Sequence, residues 1–307
     1  MKFEIPVGIL LATVLSGCGV GVINHLSSGS EDSKTGLASG KHPITTRAFP
    51  VTSFSSIDAG SSFEIKFSVG KTPSVKVTAE DRLFSNIDVK VEGNELRLET
   101  HGTFQSNRPM KVEIVNPILD GIDLSGSANG TFSGLKAEGF KASLSGSAAG
   151  IVLGDLKRVD LELSGSSNLS LVTQSNYALS GTLDGSSQLS ADGTINHLDL
   201  RTNGSSEVKA HLLSADRAIA HIEGSSTITA SGSAKSLTID AGGSSNAQMD
   251  SVTSESTNLS AEGASNIEVG ETKSLRAEAS GASHITYKGV PTQVSKFSQG
   301  ASSIEKG

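Results

Sequence analysis

The sequence predicts an all-β chain whose body is a single-stranded parallel β-helix, a solenoid of coils about 19–20 residues long with a β-rich N-terminal cap. Three observations predict it. A glycine followed by two small residues, Ser or Ala, begins a tripeptide at Gly126, Gly146, Gly165, Gly185, Gly204, Gly224, Gly243, Gly263, Gly281 and Gly300, at intervals of 18 to 20 residues. The positions six, four and two before the first nine glycines are apolar in 23 of 27 cases, whereas of those five and three before them only Ile219 is. Alternation at period two describes a strand with one buried face. Finally, apolar residues make up 36% of the chain but aromatics only 4%, which suits a narrow interior of small and aliphatic side chains too slim for rings.

Taken in chain order, residues 1–17 read as a lipoprotein signal peptide. Lys2 precedes an apolar run from Ile5 to Leu15, too short for a permanent membrane helix, which needs about twenty residues. Leu15-Ser16-Gly17-Cys18 resembles the lipobox of bacterial lipoproteins, which implies acylation at Cys18 and an N-terminal lipid holding the protein to a membrane. Gly19 stands where an aspartate commonly retains such proteins at the inner membrane, so the outer membrane is expected. Cys18 is also the sole cysteine, which excludes an internal disulfide and cysteine-based zinc sites. Residues 18–42 are rich in Gly, Ser and mixed charge without periodicity and read as a lipidated flexible tether.

Residues 43–118 carry longer alternating runs, such as Phe63-Glu64-Ile65-Lys66-Phe67 and Ile87-Asp88-Val89-Lys90-Val91. Glu92-Gly93-Asn94-Glu95 is a hairpin candidate, and Gly60-Ser61-Ser62 echoes the repeat tripeptide once. This region reads as a cap, partly antiparallel, and residues 119–307 as the repeat solenoid. Each coil is then a strand, a bend at the glycine, a second strand and a variable return. One coil cannot bury its apolar face alone, but coils stacked about 4.8 Å apart share a core and pair their backbones. Parallel crossovers are overwhelmingly right-handed, and that hand is expected here. The last coil ends at Gly307 with no cap, so its edge is either blunted by Glu305 and Lys306 or pairs with another molecule.

Phe54-Ser55-Ser56-Ile57-Asp58-Ala59-Gly60, Lys111-Val112-Glu113-Ile114-Val115-Asn116-Pro117 and Leu119-Asp120-Gly121-Ile122-Asp123-Leu124-Ser125-Gly126 resemble the putative auto-transporter adhesin head GIN domain. The resemblance covers residues from about 48 to 305 and is most specific over 50 to 150. It implies an exported bacterial β-solenoid, often a lipoprotein, and transfers no site.

No chemistry stands out. A net charge of -7 without a cationic stripe argues against nucleic acid. His197, His211, His221 and His284 sit at different offsets from their glycines, which disfavours a shared metal site. No nucleophile elbow or calcium-roll nonapeptide occurs, and no cofactor is expected. The remaining candidate is a polar column three residues after each glycine, with Asn129, Asn168, Gln188, Asn246 and Asn266 as a ligand ladder. Two roles suit it: amides bonding to one another along the stack, or a strip that docks an envelope or surface glycan or protein. The resulting expectation is a noncatalytic outer-membrane lipoprotein for adhesion, surface interaction or envelope scaffolding. The alternative is a carbohydrate-processing β-helix enzyme, which needs a cleft of carboxylates.

Overall fold

The computed structural model describes residues 42–307 apart from 104, 105 and 107. The expected signal peptide, the expected acylation at Cys18 and the expected tether before residue 42 fall outside the described residues. Within them the chain is a β-solenoid of stacked parallel strands.

Two parallel sheets meet at the corner glycines. The leading sheet holds the strand before each glycine and includes Gly121–Leu124, Phe140–Leu144, Arg158–Leu163, Tyr177–Leu183 and Ile195–Thr202. Its register is one coil per step: Leu144 faces Leu163, Leu163 faces Leu183, and Leu183 faces Thr202. Alternation drives this arrangement. Arg158–Leu163 buries every second residue, and Leu163, Leu183 and Ile222 are at most 1% exposed. The trailing sheet follows the glycines and includes Asn129–Ala137, Ala149–Leu156, Asn168–Thr173 and Gln188–Asp192.

The return segments differ between the halves. From Glu207 onward the trailing strand, the return and the next leading strand merge, as in Glu207–Ile222, Thr227–Ala241, Asn246–Ala261 and Asn266–Gly281. The return is therefore itself β-structure there, with register shifts such as that between Met249 and Ser254.

Backbone bonds weld the corner. From Gly146 onward the N–H after each corner glycine donates to the carbonyl of the glycine one coil below at 2.6–2.8 Å, for example Ser205 to Gly185 and Ser225 to Gly204. Gly204 has φ +79, and a Cβ there would lie 2.4 Å from the Gly185 carbonyl oxygen. Positive φ and close approach both demand glycine. Two residues on, serines turn inward and are buried. Ser206 Oγ donates to Asn203 O at 3.0 Å in its own coil, and Ser245 Oγ reaches Ile222 O of the coil below at 3.2 Å.

The N-terminal region closes the stack by interleaving. Ser56–Ala59 lies between Glu95–Thr100 and Gly121–Leu124, parallel to both. Phe63–Val69 likewise lies between Met110–Asn116 and Asn129–Ala137. The chain thus lays down one rung, leaves, returns to build the rung beneath it, and crosses back over at 117–120. Asn116 holds that crossing: its fully buried Nδ2 donates to Phe54 O at 2.6 Å and to Ile118 O at 2.7 Å. Antiparallel strands finish the end. Ser74–Glu80 pairs with Met110–Asn116 and Ile44–Phe49 with Ser74–Glu80. The expected hairpin forms, Ile87–Glu92 pairing with Glu95–Thr100 through Gly93 at φ +61.

Two expectations are corrected here. Gly60-Ser61-Ser62 is one residue out of step with the repeat, because Ala59 faces Leu124 and it is Ser61, at φ 65, that stacks under Gly126. Rings do fit the interior at this end. Phe54, Phe63, Phe67, Phe132 and Phe140 are at most 1% exposed, and Phe67 and Phe132 lie 6.3 Å apart. Room comes from the inward-facing Gly130, whose Cβ would sit 2.4 Å from the Phe132 ring.

At the other end Gln293–Gly300 is exposed along its whole length. Lys296 continues the inward column above Ala277, and Lys306 the one above Tyr287. The Lys296 ammonium lies 4.3 Å above the Tyr287 ring. Inward-pointing charge on an edge strand blunts it. Lys306 and Lys296 thus both stand in inward columns at this edge. Glu305 faces outward beside Thr286.

Candidate functional site

The polar column is in register from coil to coil. Asn129 faces Ala149, which faces Asn168; then follow Gln188, Glu207, Thr227, Asn246, Asn266, His284 and Ser303. The trailing sheet therefore brings Asn129, Asn168, Gln188, Asn246 and Asn266 into one row on its outer face. Asn129, Asn168 and Gln188 are exposed, and Asn246 and Asn266 half-buried.

The amides bond along the row at two steps: Asn168 Nδ2 to Gln188 Oε1 at 3.3 Å, and Asn266 Nδ2 to Asn246 Oδ1 at 3.4 Å. Elsewhere the partners lie sideways. Asn129 Nδ2 donates to Ser127 O at 3.2 Å, and Asn266 Nδ2 also to Glu268 Oε1 at 3.0 Å. His284 Nδ1 meets Ser303 Oγ, the next residue of the row. Stacked amides can exchange both donors and acceptors along a row, but these long bonds leave much of that capacity turned outward.

A second column, two residues on, runs beside the first and went unnoticed in the sequence. It contains Lys66, Thr131, Ile151, Ser170, Ser190, Lys209, Thr229 and Gln248. Period two was the signal that could have found it, since both positions point the same way from a strand. Together the columns make a broad face of amides, hydroxyls and balanced charge, interrupted by Ile151 at 44% exposure. A groove of about 480 Å³ crosses its first rungs, lined among others by Lys66, Lys111, Thr131 and Ile151 over Gly130 and Gly150.

Carboxylates gather on the leading face near the interleaved rung. Asp58 faces Asp123 one coil above and Arg97 one below. A cleft of about 390 Å³ beside them is lined by Glu95, Asp120, Asp123, Lys141 and Glu162. Burial, and then the Asp123 charge, push the Asp58 carboxyl above its ordinary range. Burial, and then Glu95, do the same for Asp123, while Lys141 opposes. Lys141 itself pairs with Glu162 at 3.2 Å. This cluster is invisible in the sequence, because Asp58 and Asp123 meet only through the out-of-order rung.

The histidines remain apart. His221 Nδ1 lies 3.0 Å from Asp240 Oδ2, His101 Nδ1 lies 3.3 Å from Asp88 Oδ2, and His211 Nδ1 meets Ser231 Oγ at 2.8 Å. Among the described residues, no group of three or more His, Cys, Asp or Glu is placed to hold a metal. No helix among them is long and apolar enough to cross a membrane.

Two overlapping stretches, residues 53–197 and 172–291, match the model of the family described as "Putative auto-transporter adhesin, head GIN domain". The chain belongs to this family. Similar solved structures include a putative adhesin from Parabacteroides merdae, at 15% identity over 87% of this chain and 97% of that one, TM-score 0.49. A putative lipid binding protein from Parabacteroides distasonis is 19% identical over 87% of this chain and 98% of that one, TM-score 0.45. A putative adhesin from the same species is 18% identical over 87% and 98%, TM-score 0.46. No curated protein matches the chain in sequence.

Proposed function

We propose that this GIN-domain protein is a noncatalytic adhesive lipoprotein of the bacterial envelope, anchored in the outer membrane by an acylated Cys18. It contacts a surface glycan or protein through the outer face of the trailing sheet. One observation carries the reading: polar side chains recur there in register from coil to coil, with amides one coil apart at Asn168 and Gln188 and again at Asn246 and Asn266. A repeating partner can meet such an array many times over, and weak contacts then sum to avidity. The family description agrees with an adhesive role.

The test is a binding screen of the full-length protein against envelope glycans and proteins. It is repeated with Asn168, Gln188, Asn246 and Asn266 all changed to Ala. Lost binding at an unchanged melting temperature supports the reading. A variant that melts early, and binds normally where still folded, assigns the row to the stack alone. Labelling with a fatty acid, compared with Cys18→Ser, tests the anchor.

The carbohydrate-processing alternative rests on the cleft lined by Glu95, Asp120, Asp123 and Glu162, where Asp123 and the Asp58 that faces it both hold protons more tightly than usual. Turnover of a bound glycan that disappears in Asp123→Asn would establish it.

A further inference from the structure

The chain contains two Asn-Gly pairs, Asn129–Gly130 and Asn203–Gly204. Asparagine followed by glycine is chemically labile, because glycine leaves its own nitrogen free to attack the neighbouring side chain. The fold treats the two pairs differently. Gly130 is buried inside Asn129–Ala137, facing Ile65 on one side and Gly150 on the other. A strand paired on both sides commits its main-chain groups to the ladder. Asn203–Gly204 sits at a corner, outside any strand, with Asn203 exposed. The Gly204 N–H donates to Asn203 Oδ1 at 2.9 Å, so the nitrogen already lies beside the side-chain amide.

We infer that Asn203 is a site of spontaneous modification that ages the middle of the stack. Water or hydroxide takes the Gly204 N–H proton, and the nitrogen bonds to Asn203 Cγ. The Cγ–Nδ2 bond breaks and ammonia leaves, closing a succinimide ring. Water then opens the ring at either carbonyl, giving aspartate or isoaspartate, and no oxidant or reductant takes part.

The position makes both products disruptive. Asn203 follows Thr202 in its rung and donates its N–H to Leu183 O of the coil below at 2.8 Å, which sets it one coil above Asp184 and one below Glu223. A neutral amide separates two carboxylates, and conversion sets three in a row, where like charges directly opposite one another destabilise a sheet. Isoaspartate also lengthens the main chain just before Gly204, where the corner has no room even for a Cβ.

Full-length protein is kept folded at mildly alkaline pH, sampled over days and digested with trypsin, which separates residues 202–209 from residues 112–136. Conversion appears as replacement of an amide by an acid in the peptide mass, and isoaspartate as methyl acceptance with an isoaspartyl methyltransferase. The 202–209 peptide converts at least about tenfold faster than the 112–136 peptide, equivalent to ~1.4 kcal/mol. In guanidinium the two rates converge. An intact Asn203 in folded protein, or conversion of Asn129 at an equal or greater rate, overturns the inference. Asn203→Gln removes the methyl-accepting signal from folded protein; a signal that persists also overturns it. Asn203→Asp supplies the product charge directly, and its melting temperature falls by an amount that added salt reduces. An unchanged melting temperature refutes the loosening of the stack.

Discussion

The two ends of this solenoid face the same problem and meet it differently. Each end of a stack exposes a row of unpaired backbone groups and a slice of apolar core. At the N-terminal end the chain interleaves a rung, pins it with Asn116 and covers it with antiparallel strands and buried phenylalanines. At the C-terminal end Gln293–Gly300 stays exposed, and Lys296 and Lys306 stand in the inward columns above Ala277 and Tyr287. One end interleaves its strands, whereas at the other two lysines stand over the inward columns. Stability is therefore expected to rise from the C-terminal coil toward the interleaved region, and Lys296 and Lys306 to help guard the C-terminal edge.

The sharpest probe of this contrast is the corner column, where Gly204 and Ser61 share a positive φ. Gly204→Ser forces a Cβ to 2.4 Å from a backbone oxygen and is expected to cost about 2–4 kcal/mol in chemical denaturation. Ser61 tolerates its side chain because the rung below offers Thr100, whose Oγ1 lies 2.6 Å from Ser61 Oγ. Ser61→Gly therefore changes stability by less than about 1 kcal/mol, relief of strain offsetting the lost bond. Equal effects at both positions would erase the distinction between stack and closure.

Asn116→Ala removes two short bonds, one of them to the carbonyl of the fully buried Phe54, and is expected to cost about 2–3 kcal/mol, with the N-terminal strands losing exchange protection first. Changing Lys296 and Lys306 together to Leu leaves the melting temperature nearly unchanged. The wild-type protein sediments as a monomer, and the variant self-associates as its concentration rises. A variant that stays monomeric would show that charge does not guard this edge.

The smallest effect is electrostatic. Asp58 and Asp123 have raised pKa values in the folded state, so folded protein binds more protons than unfolded protein above the ordinary carboxylate value of 3.8. Stability then falls as pH rises through that window and up to the raised values. Asp123→Asn removes its own share and relieves Asp58. The melting temperature rises at neutral pH and the slope across the acidic range flattens.

Much of this was legible in the sequence, for physical reasons that also set the limit. Alternation says which face of a strand is buried, and Leu163, Leu183 and Ile222 are inside as it required. Constant coil length says which residues stack, so the row from Asn129 to Asn266 could be read as a column. Neither signal says which strand lies beside which when the chain doubles back. The interleaving of Ser56–Ala59, the one-residue offset of Ser61 and the meeting of Asp58 with Asp123 all depend on that. Aromatic burial was missed because the space for Phe132 comes from Gly130, a complementarity that composition does not reveal.

Coil-by-coil register on the trailing face underlies both the adhesive reading and the two ends, and cysteine pairing tests it most directly. Ser170 and Ser190 are register partners on the outer face, whereas Ala191 is buried. In full-length protein, cysteines at 170 and 190 should form a disulfide under mild oxidation, identified by peptide mapping, and cysteines at 170 and 191 should not. Ready bonding of 170 to 191, with 170 and 190 unreactive toward each other, would shift every outward residue of the face and contradict the account.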